Sequence, residues 1–389
     1  MMKLLYRKIT LASLIIPLTS CTYVDNYMLG KDNTPEPKTL PMMTQRSDLT
    51  KKWEVPIGKE KNISTLEKTT PVVNKKIIYA VSGQGVVKAI QEGNGKILWQ
   101  SNLSQPIVSG PTVSDNFIAL TTNDAKLHLL KKSDGSKLWQ TQLSNDMLAK
   151  PLIAKNKVIA KTVDGFLYAF DVKNGEKLWS VDHGAPDIIL KASSSPVLAN
   201  NQYVLSAFSD GKVEAIDIAT GRSLWQGRIA FPKGASDIEQ LVDVDADPII
   251  ENDTAYFAAF QGAVGALSLQ TGQFKWRRNA SVYKDIAVDR SNLYYVDSND
   301  VIWSLDKQSG RVNWKQPQLM HRGLSAPVVA NNQLFVTDKT GLVHGLSLRT
   351  GVFTARVNAQ AKSSVAPVVA DDSLLIQTTS GYLSRYSVG

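Results

Sequence analysis

The chain has 389 residues, a formal net charge of +9 and one cysteine. A single cysteine excludes a disulfide framework and a redox pair. The basic residues are scattered, with no basic run interleaved with aromatics, which argues against a nucleic-acid partner. The positive balance fits an anionic membrane, an acidic partner or solubility alone.

Residues 1–20 read as an export signal rather than as part of the fold. Lys3, Arg7 and Lys8 supply the basic start, and Ile9 to Leu18 form an apolar run too short to span a bilayer. Leu18-Thr19-Ser20-Cys21 resembles the bacterial lipobox, which implies that Cys21 is the lipidated first residue of the mature chain. Thr22 follows in place of the Asp that resembles an inner-membrane retention signal, so the outer membrane is favoured. Residues 21–48, with Pro35, Pro37 and Pro41, read as a lipidated N-terminus and flexible tether, and 49–389 as the folded domain.

From residue 71 one pattern recurs: a turn glycine, three residues, then a tryptophan. It pairs Gly95 with Trp99, Gly135 with Trp139, Gly175 with Trp179, Gly221 with Trp225, Gly272 with Trp276 and Gly310 with Trp314. A further copy keeps Gly351 and carries Ala355 in the tryptophan slot. A period of about 40 residues means an array of small structural units. Within one period, 71–99, short β-rich runs alternate with turns and give four antiparallel strands, the unit of a propeller blade. Ala89, Ala169, Ala215 and Ala266 recur at one register position, where a small residue lets neighbouring sheets approach closely. The tryptophans read as plates wedged between blades.

Counting blade starts gives an all-β, eight-bladed propeller of four-stranded antiparallel blades. The eighth opens at Pro367 and reaches three strands by Gly389. Lys51-Lys52-Trp53-Glu54-Val55 carries a repeat-type tryptophan with no blade before it, so this N-terminal strand is expected to close the ring and remove an open sheet edge.

No catalytic constellation emerges. His128, His183, His321 and His344 lack metal-ligand spacing, and no G-x-S-x-G is present. Asp243-Val-Asp245-Ala-Asp247 departs from a calcium loop, with Pro248 in the glycine position and Thr254 in the bidentate glutamate position. The expectation is therefore no metal, no cofactor and no catalysis. The blades do resemble the tryptophan-docking repeats of pyrroloquinoline quinone (PQQ) dehydrogenases. That resemblance implies fold, with a quinoprotein dehydrogenase or degenerate relative as the alternative reading.

Two insertions interrupt the period, between Trp179 and Pro196 and between Trp225 and Pro248. Both connect an outer strand to the next inner strand and belong to neighbouring blades, so they emerge side by side on one face as a binding surface. The first holds Ile188, Leu190 and Lys191; the second holds Asp243 and Asp245.

The segment Ile238-Glu-Gln-Leu-Val-Asp-Val-Asp-Ala-Asp-Pro248 resembles the I-x-x-L-x-D-V-D-x-x-P of the BamB family, the propeller lipoproteins of the outer-membrane β-barrel assembly machine. Ile188, Leu190 and Lys191 correspond to that family's L-x-L-R loop, with Ile for Leu and Lys for Arg. Met320-His321-Arg322 and the tryptophan-less seventh repeat are similar too. The resemblance implies a scaffold on the periplasmic face of the outer membrane. It would bind the POTRA domains of BamA and, through BamA, the other lipoproteins of the complex, with unfolded outer-membrane proteins as candidate ligands. Ile188, Leu190, Lys191, Asp243 and Asp245 would line the BamA contact. A third reading displays the propeller to glycan or another envelope protein.

Overall fold

The computed structural model describes residues 35–58, 68–184, 193–231, 242–359 and 365–389. From Pro37 to Gly389 these form one compact unit of eight four-stranded antiparallel sheets, with no helix among the described residues. Seven sheets are built from consecutive strands. The eighth has the order β1 (Leu49–Pro56), β32 (Tyr382–Val388), β31 (Ser373–Gln377), β30 (Val368–Ala370), so the N-terminal strand closes the ring as expected. Blades are numbered one to eight from Val72 onward.

A single blade cannot bury both its faces, and the cores lie between blades. In one such core Tyr79, Val81, Val87 and Ala89 of blade one meet Ile107, Ile118, Leu120 and Leu130 of blade two. The middle strands are accordingly almost wholly buried, as in Ile77–Val81, while the outer strand Ile97–Asn102 alternates exposed and half-buried.

Most repeat tryptophans sit opposite the small-residue column, with Ala89 paired to Trp99, Ala169 to Trp179, Ala215 to Trp225 and Ala266 to Trp276, while Trp139 faces Leu129. A register shift follows each of these pairs. Such a bulge leaves one residue without a cross-strand partner. That residue is Leu98, Leu178, Leu224 and, beside Trp276, Lys275, which explains why these three leucines face solvent.

The tryptophan then crosses to the next blade. Trp53, Trp99, Trp139, Trp179, Trp225, Trp276 and Trp314 each donate their indole N–H, over 2.8 to 3.2 Å, to a backbone carbonyl of the following blade. The acceptors are Glu92, Lys132, Val172, Ile218, Leu269, Lys307 and Leu348, each three residues before a turn glycine. Those glycines have φ between +68° and +75°. A Cβ there would come within 3.0 Å of the docked indole. Glycine is thus required twice, for the left-handed backbone and for the close approach of the ring.

Residues 37–48, which composition reads as tether, run along blade seven. Lys38 N–H donates to Met320 O at 3.0 Å and Arg46 N–H to Thr354 O at 2.7 Å, while Leu40 and Met43 pack on a blade-six and blade-seven core.

Candidate partner-binding site

The two insertions leave from blades three and four. The first lies between β13 (Lys177–Asp182) and β14 (Val197–Ala199), the second between β17 (Ser223–Arg228) and β18 (Ile249–Glu251). Ile188, Leu190 and Lys191 fall in 185–192, outside the described residues, as does Cys21. Asp243 and Asp245 are described, together with the stems of both insertions.

In Val242-Asp243-Val244-Asp245-Ala246-Asp247, Asp243 pairs antiparallel with Phe260, and alternate side chains about such a pairing point to opposite sides. Val242 and Val244 join the core between blades four and five, and Ala246 joins the next one. The aspartates turn the other way, into the central channel. Asp243 is 1% exposed and Asp245 2%. Neither presents its carboxylate to solvent, in contrast with the contact-lining role that the family resemblance implies for them. The apolar residues between them draw the segment down onto the ring.

The backbone of this segment ties the two insertions together. Ser194 N–H donates to Val244 O at 3.1 Å and Ser195 N–H to the Asp247 carboxylate at 2.6 Å. Asp243 O accepts from Phe260 N–H at 2.8 Å. The end of the first insertion is therefore bonded to the end of the second.

Charges from distant blades converge on the same place. Lys68, just before blade one, pairs with Asp247 and lies 3.6 Å from Asp285; its ammonium also donates to Asp245 O at 2.9 Å. Asp247 and Asp285 precede blades five and six, so this contact spans the channel to the opposite side of the ring. Lys150, before blade three, bonds Thr70 through its ammonium and Ser195 Oγ through its N–H. Lys161 donates to Ala207 O at 2.5 Å and sits 5.5 Å from the Phe208 ring centroid. His183, at the root of the first insertion, contacts Glu214 at 3.0 Å and lies against Phe208.

Burial and charge divide the cluster into two parts. Burial would lower the Lys68 ammonium, but Asp247 and Asp285 outweigh it and raise its pKa. Burial would likewise raise Asp247; Lys68 and Lys150 hold it low. These groups stay ionised. Deeper in, burial pushes Asp243 up to about 7 against the pull of Lys161. Burial and then the charge of Asp243 push Asp245 well above the carboxylate range. Asp243 Oδ2 and both Asp245 carboxylate oxygens have no hydrogen-bond partner among the described residues. A buried carboxylate without donors favours its protonated form.

This arrangement locks the ends of the two insertions to the ring. The cavity beside Lys161, bounded by Thr162, Ser193 and Phe208, has about 10 Å³, room for at most one water. Among the described residues no group of three or more His, Cys, Asp or Glu side chains is placed to hold a metal ion. A quinone cofactor with calcium does not fit this end of the channel. Its carboxylates are engaged by lysines or pushed towards neutrality, and the Lys68 contacts cross the space.

Lys68, Lys150, Lys161 and Asp285 were not singled out from the sequence, and Asp247 was read only as part of a failed calcium loop. The signal was a column: Thr70, Lys150, Ser195, Asp247 and Asp285 each stand one residue before a blade's opening position.

A family model described as outer membrane protein assembly factor BamB matches residues 83–316. The outer membrane protein assembly factor BamB of Legionella pneumophila (strain Paris) is 51% identical over 95% of this chain and 96% of its own length. The crystal structure of BamB from Moraxella catarrhalis superposes with a TM-score of 0.80 at 23% identity, covering 87% of this chain and all of that one. Quinohemoprotein alcohol dehydrogenase from Comamonas testosteroni gives a TM-score of 0.69 at 12% identity, covering 88% of this chain and 76% of its own, a likeness of fold alone. The chain belongs to the BamB family of outer membrane protein assembly factors.

Proposed function

We propose that the chain is a non-catalytic scaffold lipoprotein. Anchored through Cys21 on the periplasmic face of the outer membrane, it binds the POTRA domains of BamA and, through BamA, joins the other lipoproteins of the assembly complex. Unfolded outer-membrane proteins are candidate further ligands. The observation that carries this reading is the shared root of the two insertions. Ser194 and Ser195 bond to Val244 and Asp247, and the charge cluster clamps both ends to the channel. A shared base that fixes where the two insertions end lowers the ordering cost of binding. Ile188, Leu190 and Lys191 are assigned the direct contact. Asp243 and Asp245 are assigned to positioning, because their side chains are buried.

Capture of BamA by the lipidated protein separates these roles. Leu190→Ala with Lys191→Ala is expected to weaken capture by roughly 30-fold or more, as loss of a contact hot spot does, with the ring intact. Asp243→Asn with Asp245→Asn is expected to keep capture, because Asn approximates the protonated carboxyl that the site favours. The Asn pair should also flatten stability against pH. A carboxyl whose folded pKa is raised binds more protons folded than unfolded, so wild type loses stability as pH rises from about 4 to about 7. Loss of capture with a folded Asn pair would assign the charges to direct contact. Unchanged capture by the Leu190 and Lys191 variant would remove that loop from the interface.

A further inference from the structure

The Met320-His321-Arg322 segment lies in the connection from blade six to blade seven, not in the insertions of blades three and four, and the structure gives Arg322 a task of its own. Its Nε donates to Asp338 at 2.8 Å and its Nη1 reaches across to Lys38 O at 3.2 Å. A second arginine does the same from the outer strand of blade seven: Arg356 Nε donates to His344 Nδ1 at 3.3 Å and its Nη1 to Pro41 O at 3.1 Å. His344 Nε2 closes the chain on Asp338 at 3.2 Å. The relay Arg322–Asp338–His344–Arg356 therefore ends, on both sides, in a carbonyl of residues 37–48.

The relay is built to stay rigid. Asp338 and His344 are both fully buried. Arginine only donates, so His344 Nδ1 accepts and its Nε2 carries the proton that Asp338 takes. Burial would raise the Asp338 carboxyl, yet bonds from His344, Thr340 and Arg322 hold it well below the usual range. Burial lowers His344 in turn and keeps the ring neutral.

The captured segment is suited to its place. Leu40 and Met43 point into the core while Met42 is fully exposed. Pro41 offers a carbonyl and needs no partner for an N–H. Further along, Ser47 Oγ donates to Gln333 at 3.0 Å, and Arg46 and Ser47 N–H both reach Thr354 O. Recognition is mostly of backbone, with two apolar anchors.

We propose that residues 37–48 are a strap, clasped to blade seven by Arg322 and Arg356, that fixes where the N-terminal arm leaves the ring and so limits its reach from the membrane. The reach rests on the lipid-anchored reading. With the strap clasped, only residues 22–36 separate the anchor from the ring. Released, 22–48 would do so. The fully extended limit of that spacer then grows from ~50 to ~95 Å.

Two variants test this on the full lipidated chain. Arg322→Ala with Arg356→Ala opens the clasp; Leu40→Ser with Met43→Ser loosens the strap without touching blade seven. Amide hydrogen exchange at Lys38, Arg46 and Ser47 is expected to be slow in wild type and at least about 10-fold faster in both variants, with the ring strands unchanged. On vesicles, energy transfer from a label at Leu98→Cys to a membrane dye should give a broader, longer distance distribution once the strap is free. Solvent-rate exchange of the strap in wild type overturns the clasp. A released strap with an unchanged distance distribution overturns its control of reach. Wild type missing from the vesicles overturns the anchor and the reach with it, while exchange still decides the clasp.

Discussion

Seven of the eight blade interfaces are sealed by a tryptophan lying on a glycine, and one is not. Between blades seven and eight the tryptophan slot holds Ala355, buried opposite Gly345. The difference follows from ring closure. Elsewhere the indole covers the turn that joins a blade's third and fourth strands. Blade eight takes its outer strand from β1, so no such turn joins β32 to it and there is no turn glycine to cover. The carbonyl that the indole would have met corresponds to Val388 O, and it accepts from Asn331 Nδ2 at 3.2 Å instead. Residues 46 and 47 bond to Thr354, beside the empty slot. A missing consensus residue here marks a change in connectivity, not decay of the repeat.

The largest effect is expected at a complete interface. Trp139 is 9% exposed and bonded to Val172 O. Trp139→Ala should cost roughly 3–5 kcal/mol in denaturant unfolding, from lost area, a cavity and a stranded carbonyl. Gly175→Ala should cost about 1–3 kcal/mol, because its Cβ would sit 2.8 Å from the Trp139 ring at φ +75°. If the ring is what forbids the side chain, the two costs are not additive. In the double variant the penalty of the Gly175→Ala change should shrink by about 1 kcal/mol, leaving the backbone strain. Additive costs would refute the pairing of glycine with indole.

The same contrast explains what the sequence made legible. The glycine–tryptophan spacing, the blade count and closure through Trp53 are periodic features, and periodicity survives without coordinates. The channel cluster is not periodic in type. Thr70, Lys150, Asp247 and Asp285 share a column but differ in charge, Lys68 stands two residues outside it, and only closure of the ring sets Lys68 against Asp247. Asp243 and Asp245 read as loop acids because their charge drew attention. The alternation with Val242, Val244 and Ala246, which buries them, was the more telling signal. Residues 37–48 read as tether from their prolines, since their partners lie some 280 residues or more away, as in the 284-residue separation of Lys38 and Arg322. Non-local contacts of this kind leave no local pattern.

The smallest effect belongs to the exceptional interface itself. Asn331 bonds Val388 O and Asp372 O, and the side chain is exposed enough for water to replace it. Asn331→Ala should therefore cost only about 0.5–1.5 kcal/mol. Its location should differ from that of Trp139→Ala. By hydrogen exchange, Trp139→Ala should loosen blades two and three, and Asn331→Ala only β32 and β1, where the ring is closed by pairing between chain ends rather than by an indole. If Asn331→Ala matched the tryptophan variant in size, the seam would depend on this one amide. A small, local effect would instead assign its stability to the β1–β32 ladder and the strap laid beside it.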